Sequence, residues 1–200
     1  MIESIEALRR VYGEAKIRSL KKQIDHIDAH CARFIALSPF VVIASSDAAG
    51  ALDASPRGGE AGFVRVAHAQ QLLIPDSPGN NRLDTLTNII TTGRIGLLFM
   101  IPGVDETLRV NGRARIADDA LLLATFASEK RTPKLVIEIS VTDAYLHCAK
   151  AFMRSKLWHA ESQIDRAALP TMGQMLSDQT GMPGAPETQS EMQARYALDL

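Results

Sequence analysis

The chain has 200 residues, with 22 Lys and Arg against 23 Asp and Glu and a formal net charge of −1. That length suits one domain with a real hydrophobic core and leaves little room for two full ones. The near-neutral balance argues against a general nucleic-acid binder, which carries a strong basic excess.

Ile2, Ile5, Leu8 and Val11 fall on one stripe, so a short helix is expected over 2–12. A second helix is expected over about 20–37, with Ile24, Ile27, Cys31, Phe34 and Ile35 inward; Ser38-Pro39 ends it. The period then changes. Phe40 to Ser46 reads as a buried strand, 47–50 as a turn and 51–54 as the returning strand. Residues 55–62 are rich in Gly and Pro and read as a loop. Short strands follow at 63–67 and 71–74, around a turn near His68. Residues 81–92 read as helix and Arg94 to Ile101 as an apolar strand closed by Pro102-Gly103.

Residues 106–117 alternate cleanly. Leu108, Val110, Gly112, Ala114 and Ile116 take one face; Thr107, Arg109, Asn111, Arg113 and Arg115 take the other. Asp118 or Asp119 can cap a helix reaching about 128, and 134–143 is the last long strand. Short strands with hairpin-sized links favour an antiparallel barrel over alternating β-α units. Helices are expected over 149–158 and 169–176. Residues 177–191 read as a loose arm, or one that orders against a partner.

Cys31 and Cys148 have no zinc-knuckle spacing, so no metal site is expected. Both thiols are expected inside, in a reducing compartment. The longest apolar stretch, Ile95 to Val104, is too short to span a bilayer, and the early acidic residues interrupt any signal core. A soluble, cytoplasmic protein is expected.

The strongest chemical signal is Asn80-Asn81-Arg82-Leu83-Asp84, which follows the turn at Pro75 to Gly79 and opens a helix. Helix starts carry free N–H groups and attract anions. Asn80 or Asn81 can cap that helix, and Arg82 offers a planar fork suited to phosphate. Ser55 and Arg57, beside Gly58 and Gly59, can approach the same anion. A plain capped helix and an ordinary turn explain the same residues. His147, Lys150, Arg154, Lys156, Trp158 and His159 form a basic and aromatic cluster that suits either an anion or a solvated helix face. Neither His68 nor His147 has a nucleophile or Asp at a diagnostic spacing. Dinucleotide and P-loop fingerprints are lacking.

From Pro39 to about Ile116 the chain resembles the pyridoxamine 5'-phosphate oxidase-related flavoproteins. The matching pieces are Ser55-Pro56-Arg57-Gly58, Gly62-Phe63-Val64-Arg65-Val66 and Ile74-Pro75-Asp76. Gly79 to Asp84, Asn88-Ile89, Arg94 to Phe99, Ile101-Pro102-Gly103 and Glu106 to Ala114 follow. Leu146 to Lys150 and Arg154 to Trp158 look like the tail of one branch of that group. The resemblance implies a mainly β fold with flanking helices: a six-stranded antiparallel split β-barrel of the FMN-binding type. It implies helices over 1–38 packed on the barrel, an FMN-binding domain over 39–148, and a helical extension and arm over 149–200.

It further implies a homodimer with FMN at the interface. Ser55, Arg57, Asn81, Arg82 and Asn88 would hold the cofactor, joined by Arg109 and Asn111 across the seam and by Lys150, Arg154 and Trp158 from the tail. An FMN-dependent oxidoreductase is expected, passing electrons from a reduced nicotinamide to a small organic acceptor or oxygen. The alternative is a non-catalytic carrier of flavin, deazaflavin or haem. Catalytic residues are not named by the resemblance. The oxidase's Arg-x-Val-Leu-Leu-Lys strand is replaced here by Ala54-Ser55-Pro56-Arg57, and its C-terminal arginine and histidine motif has no clear copy. Oxidation of vitamin B6 phosphates is therefore not expected.

Overall fold

Long runs of alternating apolar residues set the architecture, because each can bury one sheet face only. The computed structural model describes residues 1–77, 79–128 and 130–199. It divides into two compact units, Met1–Met153 and Arg154–Leu200.

In the first unit, α1 (Ile5–Tyr12), α2 (Ile17–Lys21) and α3 (Ala29–Leu37) precede β1 (Phe40–Ser46) and β2 (Leu52–Gly58). Then come β3 (Arg65–His68), β4 (Gln71–Pro75), α4 (Asp84–Thr92), β5 (Arg94–Ile101) and β6 (Val104–Ala117). The helix α5 (Ala120–Ala124) and β7 (Val136–His147) complete the series, and α6 (Lys150–Ser155) begins at the end of this unit. Among the described residues no helix is long and apolar enough to cross a membrane.

The strands form one antiparallel sheet of seven in the order β2-β1-β5-β6-β7-β4-β3. This corrects the expected six-stranded split barrel. The order is linear, and among the described residues no ladder joins its two ends. Both edges discourage closure. β2 contains Pro56, which has no N–H to donate, and β3 has four residues with an irregular register between Val66 and His68.

One face of the sheet carries Val41, Ile43, Leu72, Ile74, Leu97, Phe99, Leu108, Val110, Ile137 and Ile139, packed against Cys31 and Ile35 of α3 and Leu86 and Ile89 of α4. A smaller cluster joins Leu73, Val136 and Phe126 beside α5. Asp119 is the residue that caps α5, accepting from the N–H groups of Leu121 and Leu122.

Three further expectations change. The helix expected over 20–37 is interrupted, because Ile24 exchanges backbone hydrogen bonds with Ala144 (3.0 and 2.8 Å) and Asp28 caps a fresh start at α3. β2 continues to Gly58 where a loop from residue 55 was expected; an edge position tolerates Pro56. Cys31 is buried, and burial pushes its thiol up to about 12, whereas Cys148 is exposed.

The second unit contains α7 (Met172–Thr180) and α8 (Gln189–Ala197), so the expected loose arm is partly helical. Thr188 and Glu191 form a capping box, and Arg195 grips Glu187 with two hydrogen bonds of 2.9 and 2.7 Å. Gly173 lets the backbone at Glu187 approach α7 closely.

The β6–β7 ladder slips by one residue between Asn111 and Gly112. A Cβ on Gly112 would run into the Ser140 carbonyl oxygen, a backbone atom that cannot swing aside. Gly112→Ala is therefore expected to lower stability by roughly 1–3 kcal/mol, read from the urea unfolding midpoint at unchanged slope.

Candidate functional site

Asp53, Ser55 and Arg57 alternate along β2 and so share one face. The register sets them opposite Ser45, Ile43 and Val41, in rows that continue into the core through Leu97 and Phe99. The edge of the core is thus polar. Asp53 is its centre: its carboxylate accepts from Thr85 Oγ1 at 2.7 Å, Ser55 Oγ at 2.9 Å and Ser45 Oγ at 3.2 Å. Asn88 donates to Ser45 Oγ at 3.0 Å, and Thr92 donates to the Ser46 carbonyl at 3.1 Å. These bonds pin α4 across β1 and β2.

The loop entering α4 is unusual. Asn81 and Leu83 have φ of 59° and 60°, the left-handed region. Asn tolerates it; a Leu there is strained. Leu83 stands at the N-cap with no side-chain hydrogen bond to the helix, so the capping expected from Asn80 or Asn81 does not form. Asn80 Oδ1 instead accepts from the Arg82 N–H at 3.1 Å, tying the loop to itself. Pro78, part of the expected turn, lies outside the described residues. Among the described residues the first turn of α4 has no side-chain acceptor, which leaves the positive end of its dipole uncompensated by a cap.

Charges converge here. Burial alone would raise the Asp53 carboxyl, but the hydroxyls of Thr85, Ser55 and Ser45 and the charge of Arg57 outweigh it and hold the group below its ordinary value. Arg82 also acts on Asp53, although its own partner is Asp84, at 2.8 Å. Burial raises the Asp76 carboxyl, opposed by Arg57 and Lys134. Arg57 donates only to the neighbouring Pro56 carbonyl, at 2.9 Å, leaving most of its fork unused among the described residues. Ser55, Arg57, Arg82 and Asn88 therefore gather around one carboxylate, with Asn81 in the adjoining loop. Asn88 is buried and serves the scaffold through Ser45.

The other predicted residues lie elsewhere. Asn111 belongs to the row Ala54-Ala44-Gly96-Asn111, on the opposite face of the sheet. It donates to Asp143 Oδ1 at 2.9 Å, and Arg109 donates to Tyr145 Oη at 3.0 Å. Lys150 is exposed at the start of α6; Arg154 and Trp158 belong to the second unit. Two open clefts are found, one at the C-terminal end of α4 and one between the end of β6 and α5. One, of about 600 Å³, is lined by Ile90, Gly93, Arg113 and Ile116; the other, of about 570 Å³, by Arg115, Asp118, Leu121 and Glu138. No predicted site residue lines either. Sequence reasoning missed Asp53, Ser45 and Thr85. The period-two run Asp53, Ser55, Arg57 was the available signal, hidden by ending β2 at residue 54.

Residues 27–148 match the profile of the family described as pyridoxamine 5'-phosphate oxidase. The chain belongs to the pyridoxamine 5'-phosphate oxidase family. Among solved structures it is similar to HupZ of Group A Streptococcus. A form of that protein with one histidine replaced by alanine gives a TM-score of 0.51 at 18% identity, over 60% of this chain and 99% of that one. A second HupZ structure gives 0.50 at 19%, over 59% and 91%. A candidate pyridoxamine 5'-phosphate oxidase from Lactobacillus delbrueckii gives 0.47 at 15%, over 61% and 99%. At these identities the likeness concerns the fold. None of the curated proteins compared with the chain matches it.

Thr85→Val removes a buried hydroxyl from the Asp53 carboxylate and is expected to cost roughly 1.5–3 kcal/mol of stability. The Asp53 carboxyl titrates lower folded than unfolded, so its contribution is complete above the unfolded value near 3.9 and is lost as pH falls through the folded value. The stability difference between wild type and Asp53→Asn should accordingly shrink below about pH 4, as measured by urea unfolding across the acid range.

Proposed function

We propose that the protein binds FMN, with the phosphate between Arg57 of β2 and Arg82 at the start of α4. In this reading it is an oxidoreductase that passes electrons between a reduced nicotinamide and a small organic acceptor or oxygen. The observation that carries the reading is the convergence of two guanidinium charges on Asp53 beside an uncapped helix start.

The donor set fits a phosphate. Arg57 has free N–H groups in a planar fork, and the α4 amides have no competing side-chain acceptor among the described residues. Asp53 is a negative neighbour, but its oxygens are occupied by three hydroxyls. The Arg82–Asp84 pair is mostly exposed, with side chains 73% and 46% accessible. Such pairs contribute little, so exchange of Asp84 for a phosphate is cheap. Ser55 and Asn81 add polar groups at the same edge.

Bound FMN would supply the hydride and electron transfer. The chain's own residues anchor the phosphate and orient the cofactor, and no side chain is asked to act as a strong base. Departures from the oxidase's substrate motifs keep vitamin B6 phosphates out of the proposal.

A homodimer belongs to the same reading. The face opposite Asp53 presents Val42, Leu98 and Met100, half-buried, with the row Ala54-Ala44-Gly96 beside them. An apolar face of this kind suits a second copy, and two-fold symmetry would repeat each contact. Arg109 and Asn111 stand on that face, where one or the other would meet the partner's cofactor across the seam. Lys150, at the start of α6, is assigned to the same ligand.

The purified protein should show flavin absorption bands, release FMN on acid treatment, and bleach with NADH or NADPH. Arg57→Gln and Arg82→Gln should each weaken FMN by about ten- to a hundredfold and leave riboflavin, which has no phosphate, nearly unchanged. Equal losses for both ligands would overturn the assignment.

A further inference from the structure

A second concentration of positive charge lies on the opposite sheet face. The pairing of Ile24 with Ala144 holds the end of the N-terminal segment against β7, and Lys22 Nζ donates to the Leu146 carbonyl at 2.6 Å. From there the Lys22 ammonium lies 5.2 Å from the centre of the Tyr145 ring. The Arg109 guanidinium lies 5.6 Å from the same centre and donates to Tyr145 Oη. His147 packs against Tyr145 with ring centres 5.0 Å apart, and its Nε2 is buried without a hydrogen-bond partner.

Two cations and an imidazole thus surround one phenol. Burial first, and then the positive charges of Arg109 and Lys22, hold the His147 imidazole toward its neutral form. The nearby Asp143 is committed to Asn111. Two cations beside the single Asp143 carboxylate leave a net positive charge, which raises the potential locally and attracts an anion. Lys22 and Arg109 are exposed, so their donors can be reached from solvent. An arriving oxyanion would reduce the repulsion between them, and the Tyr145 and His147 rings, tilted by 51° to each other, would wall it on one side.

We propose that Lys22, Arg109, Tyr145 and His147 form a binding site for the carboxylate or phosphate group of a small anionic molecule. The site is separate from the Arg57–Arg82 face and does not depend on the flavin reading. It claims Arg109, leaving Asn111 as the outer-face residue available to the cofactor.

The test uses full-length protein without flavin, at constant ionic strength. Inorganic phosphate and succinate are titrated while the His147 ring resonances are followed by NMR. A saturable shift is expected with at least one of the two, and which one names the preferred anion. Lys22→Gln and Arg109→Gln should each weaken binding roughly tenfold, whereas Arg113→Gln, further along β6, should not. Circular dichroism confirms that each variant is folded. A shift that never saturates, or one reproduced by chloride, overturns the proposal. So does equal binding by wild type and both variants. Sedimentation alongside the titration gives one more arm: a dimer dissolved by phosphate would assign the cations to a carboxylate of a second copy, against a small ligand.

Discussion

The structure around the candidate site depends on how one carboxylate is satisfied. Asp53 sits on an edge strand, at the margin of the core, where an ionised group without partners is costly. Three hydroxyls from three different elements resolve this: Ser45 from β1, Ser55 from β2 and Thr85 from α4. Each bond is charge-assisted and short-range, so together they fix the distance between the helix and the strand pair. Asn88 extends the network by donating to Ser45. Without that anchoring, α4 would be held by Leu86, Ile89 and the bonds at Thr92 near its other end, and its first turn would have no defined place beside β2.

The same alternation that creates this polar edge separates the two faces of the sheet. Arg57 lies in a row with Val41, Phe99 and Leu108, and Pro56 in a row with Val42, Leu98 and Arg109. One step along β2 therefore moves from the α4 side to the outer face. Arg57 and Arg109 cannot serve one ligand within a single copy, since a seven-stranded sheet stands between their faces. The separation has a functional consequence. It divides the positive charge into one group organised by Asp53 and another organised by Tyr145.

Much of the fold was legible because period two is a strong signal when one face is buried. Leu108, Val110, Ile137 and Ile139 announce β6 and β7, and the alternating Ile95, Leu97 and Phe99 announce β5. What was illegible is equally physical. Pro56 reads as a loop residue, and only knowledge that β2 lies at an edge makes it a strand residue. The break between α2 and α3 depends on Ile24 pairing with Ala144, a contact between opposite ends of the first unit's chain. Closure of the sheet depends on whether two distant edges meet, which no local pattern records. In the candidate site, Arg57 and Arg82 were found as phosphate-type donors. Asp53 was overlooked because ending β2 at residue 54 hid the alternation that sets it on one face with Ser55 and Arg57.

Leu83 bears on why the loop before α4 has its form. A side chain with a Cβ held at φ of 60° carries strain of about 1–3 kcal/mol. The usual reward at a helix start, a Ser, Thr, Asp or Asn cap, is forgone, although Asn80, Asn81 and Asp84 all stand within reach in sequence. Asn80 is turned to Arg82 and Asp84 pairs with the Arg82 side chain, so the polar residues of the loop orient the arginine and leave the helix amides alone. A loop selected for stability would use an Asn as the cap and place Leu83 inward; here Leu83 is more than half exposed. In the proposed reading, an anion that takes the free amides accounts for the strain, the missing cap and the oriented arginine at this one helix start together.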